Sequence, residues 1–187
     1  MRVDFKYKLY LIDDEYSGYL RKIESQVPYT DYGYYSVKPF LKAFETQDDL
    51  AYMVPITSYK DKFVKFQEKE MMYFIKHPFT DEYLGCLRFG KMFPVPLECI
   101  QEIDLDHLEK YRGFTTALNQ IEFEHRLKLT NYKIDKLDIE YMAKELYKTK
   151  QKDENIVAFN YQTLERIAIT YKEHLYALEK EKSELEI

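Results

Sequence analysis

The chain has 187 residues, of which 45% are hydrophobic and 33% are charged, a composition typical of a folded globular protein. Its 28 Lys and Arg residues face 33 Asp and Glu residues, which gives a formal net charge of −5 at pH 7. This balance argues against a general coat for DNA but still permits a local basic site. No apolar run is long enough to span a membrane and no signal peptide is evident, so we expect neither membrane insertion nor export.

Cysteine and histidine are too few and too dispersed to indicate a disulfide framework or a metal site. Cys86 and Cys99 form no CxxC pair, and the four histidines lack metal-ligand spacing. We therefore expect a reducing, cytoplasmic environment, with no bound metal and no other cofactor. Aromatic residues make up 17% of the chain, and 19 of them are tyrosines. A ring with a hydroxyl group suits a core edge, a protein interface or a surface that stacks on bases.

Short strand-like runs dominate residues 1–104. Alternating apolar residues predict a strand over residues 5–11, after which Asp13 is expected to cap a short helix. The apolar side of that helix would contain Tyr16, Leu20 and Ile23. Further strands are predicted at 37–44, 50–57, 71–75, 83–89 and 92–100. Short antiparallel strands with several prolines favour a strongly bent antiparallel sheet, shaped as a half-open barrel.

Helical spacing replaces strand alternation in residues 105–187. Apolar residues recur there at intervals of three and four, which predicts three amphipathic helices. Their apolar stripes contain Leu118, Ile121, His125 and Leu129, then Ile134, Leu137, Tyr141 and Leu146, and finally Leu164, Ile167, Tyr171, Leu175 and Leu178. Residues 148–155 (KTKQKDEN) are predicted to form a mobile loop. No linker separates the two halves, so we predict an α+β fold in which residues 1–187 form a single domain with helices packed on the sheet.

The clearest polar motif lies between Tyr34 and Lys60. The chain has no Gly-rich phosphate loop and no GxSxG elbow, so nucleotide-dependent transfer and acyl transfer find no support. The apolar run LAYMVPI, however, passes directly into Thr57, Ser58 and Lys60, and Lys38 follows Tyr34 by four residues. Two hydroxyls, free backbone N–H groups and an ammonium group at a strand end can bind a phosphate. The alternative is that Thr57 and Ser58 only stabilise a turn and Lys60 is a solvated charge.

Several segments of the sequence follow the order and rough spacing of a known toxin family. They are KLYLIDDEYSGYLRKIESQVP near the start, YYSVKPF at 34–40, VPITSYK at 54–60, LGCLRFGKMFPVPLE at 84–98, and a helix with Gln120, Phe123 and Arg126. On these residues the chain resembles the endoribonuclease toxins of type III toxin–antitoxin systems, the ToxN/AbiQ family, whose antitoxin is an RNA. It departs from the family at Tyr59, which stands where proline is common, and at Phe40–Lys42, which lacks a common glycine.

The resemblance implies metal-independent, sequence-specific cleavage of RNA. The ribose 2′-OH would attack the adjacent phosphate and leave a 2′,3′-cyclic phosphate and a 5′-OH. In that reaction Lys60 would be the main electrostatic stabiliser. Thr57 and Ser58 would hold the non-bridging oxygens. Lys38 would contact phosphate or assist proton transfer, and Tyr34 would position the nucleotide.

Contacts to RNA outside the catalytic residues are predicted from charge and aromaticity. Residues 126–152 contain eight Lys and Arg against four Asp and Glu, an excess that suits contact with phosphates. A solvated helix face with paired charges explains the same pattern equally well. His125 could serve as a base, but its position on an apolar stripe favours a packed histidine. The residues predicted to bind RNA are Tyr35, Phe123, Arg126 and Lys133.

The resemblance also implies the partners of the chain. We expect a structured, tandem-repeat RNA antitoxin that the toxin processes and that inhibits it in a closed protein–RNA assembly. The substrates would be cellular or phage RNA, and the toxin would act in abortive infection, an antiviral defence of bacteria. Two other classes of function stay open. A non-catalytic RNA-binding module could use the same phosphate site, whereas a protein-interaction domain would explain the tyrosines but not the Thr57–Lys60 motif.

Overall fold

The computed structural model describes residues 4–30, 33, 36–67, 71–154 and 156–185. Within these ranges there are seven strands, four α-helices and several short 3-10 turns. The strands are β1 (Leu9–Ile12), β2 (Phe40–Glu45), β3 (Leu50–Thr57), β4 (Met72–Lys76), β5 (Tyr83–Arg88), β6 (Phe93–Pro96) and β7 (Ile100–Glu102). The helices are α1 (Asp14–Arg21), α2 (Ala117–Ile134), α3 (Ile139–Lys152) and α4 (Tyr161–Leu185).

The strands form one antiparallel sheet that divides at β3. The sheet order is β4-β5-β3-β2-β1-β7, and β6 pairs separately with β3. On one side of β3 lies β2; on the other, Leu50–Met53 pairs with β6, whereas Ile56 and Thr57 pair with β5. The sheet does not close, and the helices pack on it around a shared apolar core. The prediction of an α+β fold with an open, bent antiparallel sheet is confirmed.

The first helix begins where the sequence indicates but ends earlier. A carboxylate oxygen of Asp13 accepts the N–H of Tyr16 at 2.9 Å, which is the predicted N-cap. Tyr16 and Leu20 are buried, as expected for the apolar side. Ile23 lies beyond the end of α1 and is 54% exposed, so its assignment to that side is wrong. The helix ends because the N–H groups of residues 22–24 turn back onto the carbonyls of residues 19 and 20.

Most of the predicted apolar stripe of α2 faces outward, and of its four residues only Leu129 packs against the core. Leu118 and Ile121 are both 62% exposed, and His125 is exposed as well, so the prediction of a packed histidine is wrong. The buried side instead contains Leu127, Thr130, Asn131 and Ile134. A polar side chain helps to hold this helix against the segment before β1: the side-chain amide of Asn131 donates to the carbonyl of Tyr7 at 3.0 Å. Hydrophobic periodicity cannot detect a helix face that is buried through hydrogen bonds.

The second predicted helical segment is shifted along the chain. Ile134 ends α2, and α3 starts at Ile139, so the stripe from Ile134 to Leu146 is divided between two helices. The loop predicted at 148–155 is wrong for 148–152, which continue α3; Asn155 lies outside the described residues. Lys and Gln are good helix formers, and i,i+3 and i,i+4 ion pairs such as Lys144–Glu140 support the helix. Over the described chain, no helix combines the length and the apolar character that crossing a membrane requires.

Candidate active site

An open groove of about 420 Å³ lies where β3 ends. Its polar lining comprises Ser36, Lys38, Thr57, Ser58, Lys60 and Arg88. None of the described residues that line it is an Asp or a Glu, although the whole chain carries a net charge of −5. Three cationic side chains without a carboxylate in the same lining create a positive potential that suits an anion.

A second open cavity of about 420 Å³ lies between β1, β7 and α2 but has a different character. Its lining includes lysines and carboxylates that already form ion pairs with one another. The ammonium group of Lys128 lies 2.6 Å from Asp106, and that of Lys8 lies 3.7 Å from Glu102. The described lining of the groove at the end of β3 contains cations but no carboxylate, so that groove is the better candidate for an anion site.

Strand register brings Lys38 and Cys86 to opposite sides of Thr57. Cys86 pairs directly with Thr57 in the β3–β5 ladder. On the other side, Phe40 pairs with Pro55, and the carbonyl of Pro39 accepts the N–H of Ile56 at 3.1 Å. Continuing that register by one residue sets Lys38 beside Thr57. Residues that lie opposite one another in a sheet share a face, so Lys38, Thr57 and Cys86 form a row across the strands. Lys38 and Thr57 line the groove, whereas Cys86 is buried beneath it.

The position of Thr57 depends on two neighbouring residues of β5. Its hydroxyl lies 3.1 Å from the thiol of Cys86, within hydrogen-bonding distance. A Cβ atom added at Gly85 would lie only 2.8 Å from the carbonyl oxygen of Thr57. Glycine therefore permits the close approach of the two backbones that holds Thr57 in the groove.

Aromatic packing anchors the segment that carries Ser58 and Lys60. The ring of Tyr59 stacks on Tyr83 with centroids 4.2 Å apart and meets Phe74 edge-on at 5.2 Å. On either side of it, Ser58 and Lys60 are exposed and line the groove. The carbonyl of Lys60 then accepts an N–H bond that starts the 3-10 turn at 61–66. The anchored ring thus fixes the backbone that carries Ser58 and Lys60.

Lys38 is the most perturbed cation in the groove. Burial, together with the positive charges of Arg88 and Lys60, lowers the pKa of the Lys38 ammonium group from 10.5 to about 8. The thiol of Cys86 acts in the opposite direction and raises the pKa of Lys38. A lysine with such a pKa is partly a neutral amine near neutral pH and can accept a proton, whereas an ordinary surface lysine is almost fully protonated.

Arg88 lines the groove, although the sequence did not predict it as a site residue. It ends β5, lines the groove and acts electrostatically on Lys38. Its carbon Cζ lies 5.4 Å from the centre of the Phe63 ring. In the sequence, Arg88 lies within a mostly apolar run that predicts a buried strand. Only the pairing of β5 with β3 would have indicated its proximity to Thr57.

The residues predicted to bind RNA are dispersed in the structure. Phe123 lines the groove, with the guanidinium of Arg112 4.4 Å from its ring centre. Arg126 donates to the carbonyls of residues 83 and 84 at 2.9–3.2 Å and so ties α2 to β5. Lys133 lies about 15 Å further along α2 than Phe123. His125 is not among the groove residues. Tyr34 and Tyr35 lie outside the described residues.

The polar side chains of the groove are hydroxyls and cations. Within the described ranges, there is no group of three His, Cys, Asp or Glu side chains that could hold a metal ion. Both cysteines are buried free thiols. The arrangement offers two hydroxyls, an exposed ammonium group and an amine with a lowered pKa on one short stretch of sheet. Such a set can orient a phosphate and move a proton.

Comparison with known proteins gives a consistent set of relatives. A family model described as toxin ToxN of type III toxin–antitoxin systems matches residues 8–169. A solved structure from work on toxin inhibition by a non-coding RNA pseudoknot in such systems has a TM-score of 0.72 and 22% identity, covering 89% of this chain and 98% of that chain. Comparison with curated protein sequences found no significant match.

Two further solved structures share the fold. AbiQ, a lactococcal anti-phage endoribonuclease of a type III system, has a TM-score of 0.68 and 20% identity, covering 89% of this chain and 98% of its own. A structure from work on a processed non-coding RNA that regulates a bacterial antiviral system has a TM-score of 0.63 and 21% identity, covering 85% and 95%. At these identities, the likeness establishes the fold.

Proposed function

The chain belongs to the ToxN family of toxins from type III toxin–antitoxin systems, and from this membership we propose that it is an endoribonuclease that acts at the groove beside β3. The observation that carries the proposal is the row of Lys38 and Thr57 across two paired segments, with Ser58 and Lys60 at the strand exit. AbiQ, which has the same fold, is an endoribonuclease. A cationic groove with hydroxyl donors matches the needs of a phosphodiester substrate.

In the proposed reaction the RNA supplies its own nucleophile, the 2′-OH beside the scissile phosphate. Lys38 accepts the proton of that hydroxyl as its oxygen bonds to phosphorus, and the bond from phosphorus to the 5′ oxygen breaks. Lys60 stabilises the added negative charge and gives a proton to the departing 5′ oxygen, while Thr57 and Ser58 hold the non-bridging oxygens. The products are a 2′,3′-cyclic phosphate and a 5′-OH, and no step requires a metal ion.

Lys38 is our candidate for the proton acceptor. With a pKa of about 8, about a tenth of the Lys38 side chains carry a neutral amine at pH 7. Its register places it beside Thr57, and both residues line the groove in which the phosphate would bind. A role for Tyr34 in positioning the nucleotide stays a prediction, as do the RNA contacts of Tyr35, Phe123, Arg126 and Lys133.

We further propose that the natural inhibitor is a structured, repeat-containing RNA that occupies the same groove and is processed there. A non-coding RNA pseudoknot inhibits the toxin of one structurally similar system. Alternation of protein and RNA in a closed assembly would keep the groove covered. Release of the cytoplasmic toxin would then expose cellular or phage RNA to cleavage, which fits a role in abortive infection.

Cleavage in the presence of EDTA tests the proposal directly. Purified protein is incubated with mixed-sequence single-stranded RNA, and the product ends are identified. We expect cyclic-phosphate ends from the wild type and a rate about 10²- to 10³-fold lower for Lys60→Ala, since a key charge-stabilising contact is lost. The variant should keep its fold, because an exposed substitution costs less than ~0.5 kcal/mol.

Lys65→Ala is the matched control, because Lys65 is also exposed, lies in the adjacent 3-10 turn and does not line the groove. It should cleave as fast as the wild type. A folded Lys60→Ala protein with full activity would contradict the catalytic role of Lys60. RNA that is bound but stays intact would favour a non-catalytic RNA-binding module. Absence of binding would contradict both RNA hypotheses.

A further inference from the structure

Arg88 extends the cationic lining of the groove beyond the row that contains Thr57. It lies two residues along β5 from Cys86, the direct partner of Thr57. Residues i and i+2 of a strand point to the same face, so Arg88 projects to the side on which Cys86 meets Thr57. Its guanidinium carbon is 5.4 Å from the ring centre of Phe63, which follows the strand exit. The side chain therefore lies between β5 and the segment after Lys60.

The spacing separates Arg88 from the site of the scissile phosphate. Two residues of extended strand cover about 6.6–6.8 Å, so the backbone of Arg88 is one such step away from the row of Lys38, Thr57 and Cys86. A phosphate held by Thr57, Ser58 and Lys60 would not take up the full length of the groove. An RNA strand that continues along the groove would carry its next phosphate toward Arg88.

We propose that Arg88 binds the phosphate adjacent to the scissile one and so forms a second phosphate subsite in the groove. This inference rests on the proposed function, because it presupposes an RNA strand whose scissile phosphate contacts Thr57, Ser58 and Lys60. The planar guanidinium presents paired N–H donors that match two phosphate oxygens. The contact of the Arg88 guanidinium with the Phe63 ring restricts the motion of the guanidinium and favours one orientation of its N–H donors.

Loss of the subsite should affect KM and kcat differently from loss of a residue that acts in the chemical step. The adjacent phosphate keeps its charge during cleavage, so its contact with Arg88 is equally strong before and in the transition state. Loss of such uniform binding raises KM and leaves kcat nearly unchanged. A residue that only supports the fold would instead lower the melting temperature and affect all substrates alike.

The test combines Arg88→Gln with RNA that lacks one charge. A short RNA with a mapped cleavage site is prepared with a neutral methylphosphonate in place of the phosphate on the 5′ side, or on the 3′ side, of the scissile phosphate. For the wild type, one of these two replacements should lower kcat/KM roughly 10- to 100-fold, as expected for a charged hydrogen bond. Arg88→Gln should show the same loss on unmodified RNA and no further loss on that methylphosphonate RNA.

Measuring at pH 9 removes a side effect of the substitution. Arg88 lowers the pKa of Lys38, so its removal raises that pKa and reduces the neutral amine at neutral pH. The difference in neutral amine shrinks as the pH rises, so a loss of kcat/KM that persists at pH 9 reports the phosphate contact. Arg88→Lys, which keeps the charge but lacks the fork, should recover part of the loss.

A binding measurement separates failure of the subsite from failure of the nuclease proposal. RNA with a 2′-deoxy nucleotide at the cleavage site binds without reaction. Its log Kd against log salt should change slope by about 0.7 in Arg88→Gln, the value for one phosphate contact in a single strand. Arg166→Gln is the control, because Arg166 is exposed on α4 outside the groove and should leave the slope unchanged.

The possible outcomes distinguish the two ideas. One outcome is that the wild type cleaves RNA while Arg88→Gln loses as much kcat/KM from each methylphosphonate as the wild type does. In that case Arg88 does not contact either phosphate, so the subsite is overturned and the nuclease proposal stands. If no RNA is cleaved, the nuclease proposal fails, and the salt slope still decides whether Arg88 contacts a phosphate. If RNA does not bind at all, both proposals fail. The subsite is also overturned if Arg88→Gln has a much lower melting temperature than the wild type and Arg88→Lys recovers none of the lost kcat/KM. Arg88 would then have a structural role.

Discussion

The two halves of β3 belong to one continuous strand but have different neighbours, β6 beside the first half and β5 beside the end of the second. In the first half, Leu50–Met53 is fully buried between β2 and β6. The ring of Tyr52 stacks on Phe44 with centroids 4.6 Å apart, and its hydroxyl donates to Glu165 at 2.7 Å. Burial and the Glu165 carboxylate both raise the pKa of Tyr52, so this hydroxyl stays protonated. The first half uses its polar group to hold α4 on the sheet.

The second half of the strand, here called the open half, runs from the core to the groove: Val54 and Ile56 are still buried, and only Thr57 at its end is half-buried. Ile56 and Thr57 pair with β5, and the chain then opens at Ser58 into the groove. The hydroxyl of Thr57 meets the thiol of Cys86, a weak hydrogen-bonding group, so it keeps capacity for a stronger acceptor such as a phosphate. The comparison teaches that one rigid strand serves both purposes: its buried half fixes the position, and its open half presents the chemistry.

Replacement of Lys38 should have the largest effect on the open half. In Lys38→Met, a half-buried amine becomes an apolar side chain of similar length, so the fold should be kept while cleavage falls roughly 10²- to 10⁴-fold with the loss of the base. The wild-type kcat/KM should rise with pH up to about 8 and then level off, because the neutral amine accumulates as pH passes the pKa of Lys38. The variant should lack that rise.

The pH profile also distinguishes two roles for Lys38. If its ammonium form binds the phosphate, kcat/KM of the wild type will fall above pH 8 instead of levelling off. Lys62→Met is the control, since Lys62 is exposed in the 3-10 turn after the strand exit and does not line the groove. A similar loss in both variants would point to a general charge effect rather than proton transfer.

A smaller effect is expected from Gly85→Ala, which disturbs the pairing of the open half. The added Cβ would lie 2.8 Å from the carbonyl oxygen of Thr57, so the two strands must separate. We expect a loss of about 1–3 kcal/mol in the free energy of unfolding and up to about a 10²-fold drop in cleavage from misplacement of Thr57. Calorimetry and cleavage assays measure the two effects.

Gly18→Ala provides a control with the opposite sign. No atom lies within 4 Å of a Cβ at Gly18, which is inside α1. Alanine should therefore stabilise the protein by about 0.5–1 kcal/mol and leave cleavage unchanged. If Gly85→Ala cleaves as fast as the wild type, the position of Thr57 does not depend on the close approach of β5.

The sequence predicted the open half of β3 better than the groove around it. The bounds of β3 at 50–57 agree with the prediction, because an unbroken apolar run ends in hydroxyl residues. The proximity of Lys38 to Thr57 follows only from the register of β2 against β3, which no local pattern encodes. Arg88 escaped prediction for the same reason, since β5 meets the end of β3 through residues that are far apart in the sequence, such as Thr57 and Cys86.

The helical half was predicted less accurately than the sheet. Leu118 and Ile121 have helical spacing but face outward. The face that packs inward contains Thr130 and Asn131, and it is held by the hydrogen bond from Asn131 to the Tyr7 carbonyl. Periodicity counts apolar residues, so it assigns such a helix to the wrong face. Long-range polar contacts become visible only in three dimensions.

The smallest effect on cleavage should come from the buried half, where Tyr52→Phe removes a single hydroxyl. Glu165 would still accept from Tyr147 at 3.0 Å, so we expect a loss of about 1–2 kcal/mol in the free energy of unfolding. For a chain of this size, that lowers the melting temperature by about 2–4 °C per kcal/mol. Cleavage well below the melting temperature should equal that of the wild type, because Tyr52 lies outside the groove.

Tyr73→Phe completes this test, since Tyr73 is 37% exposed on β4 and should change neither stability nor cleavage. If Tyr52→Phe slows cleavage severalfold while the protein stays folded, the two halves of β3 are coupled, and the buried hydroxyl helps to set the geometry of the groove. If only stability changes, the two halves of β3 have separate roles. The half that pairs with β6 then stabilises the fold, and the half that pairs with β5 positions the groove.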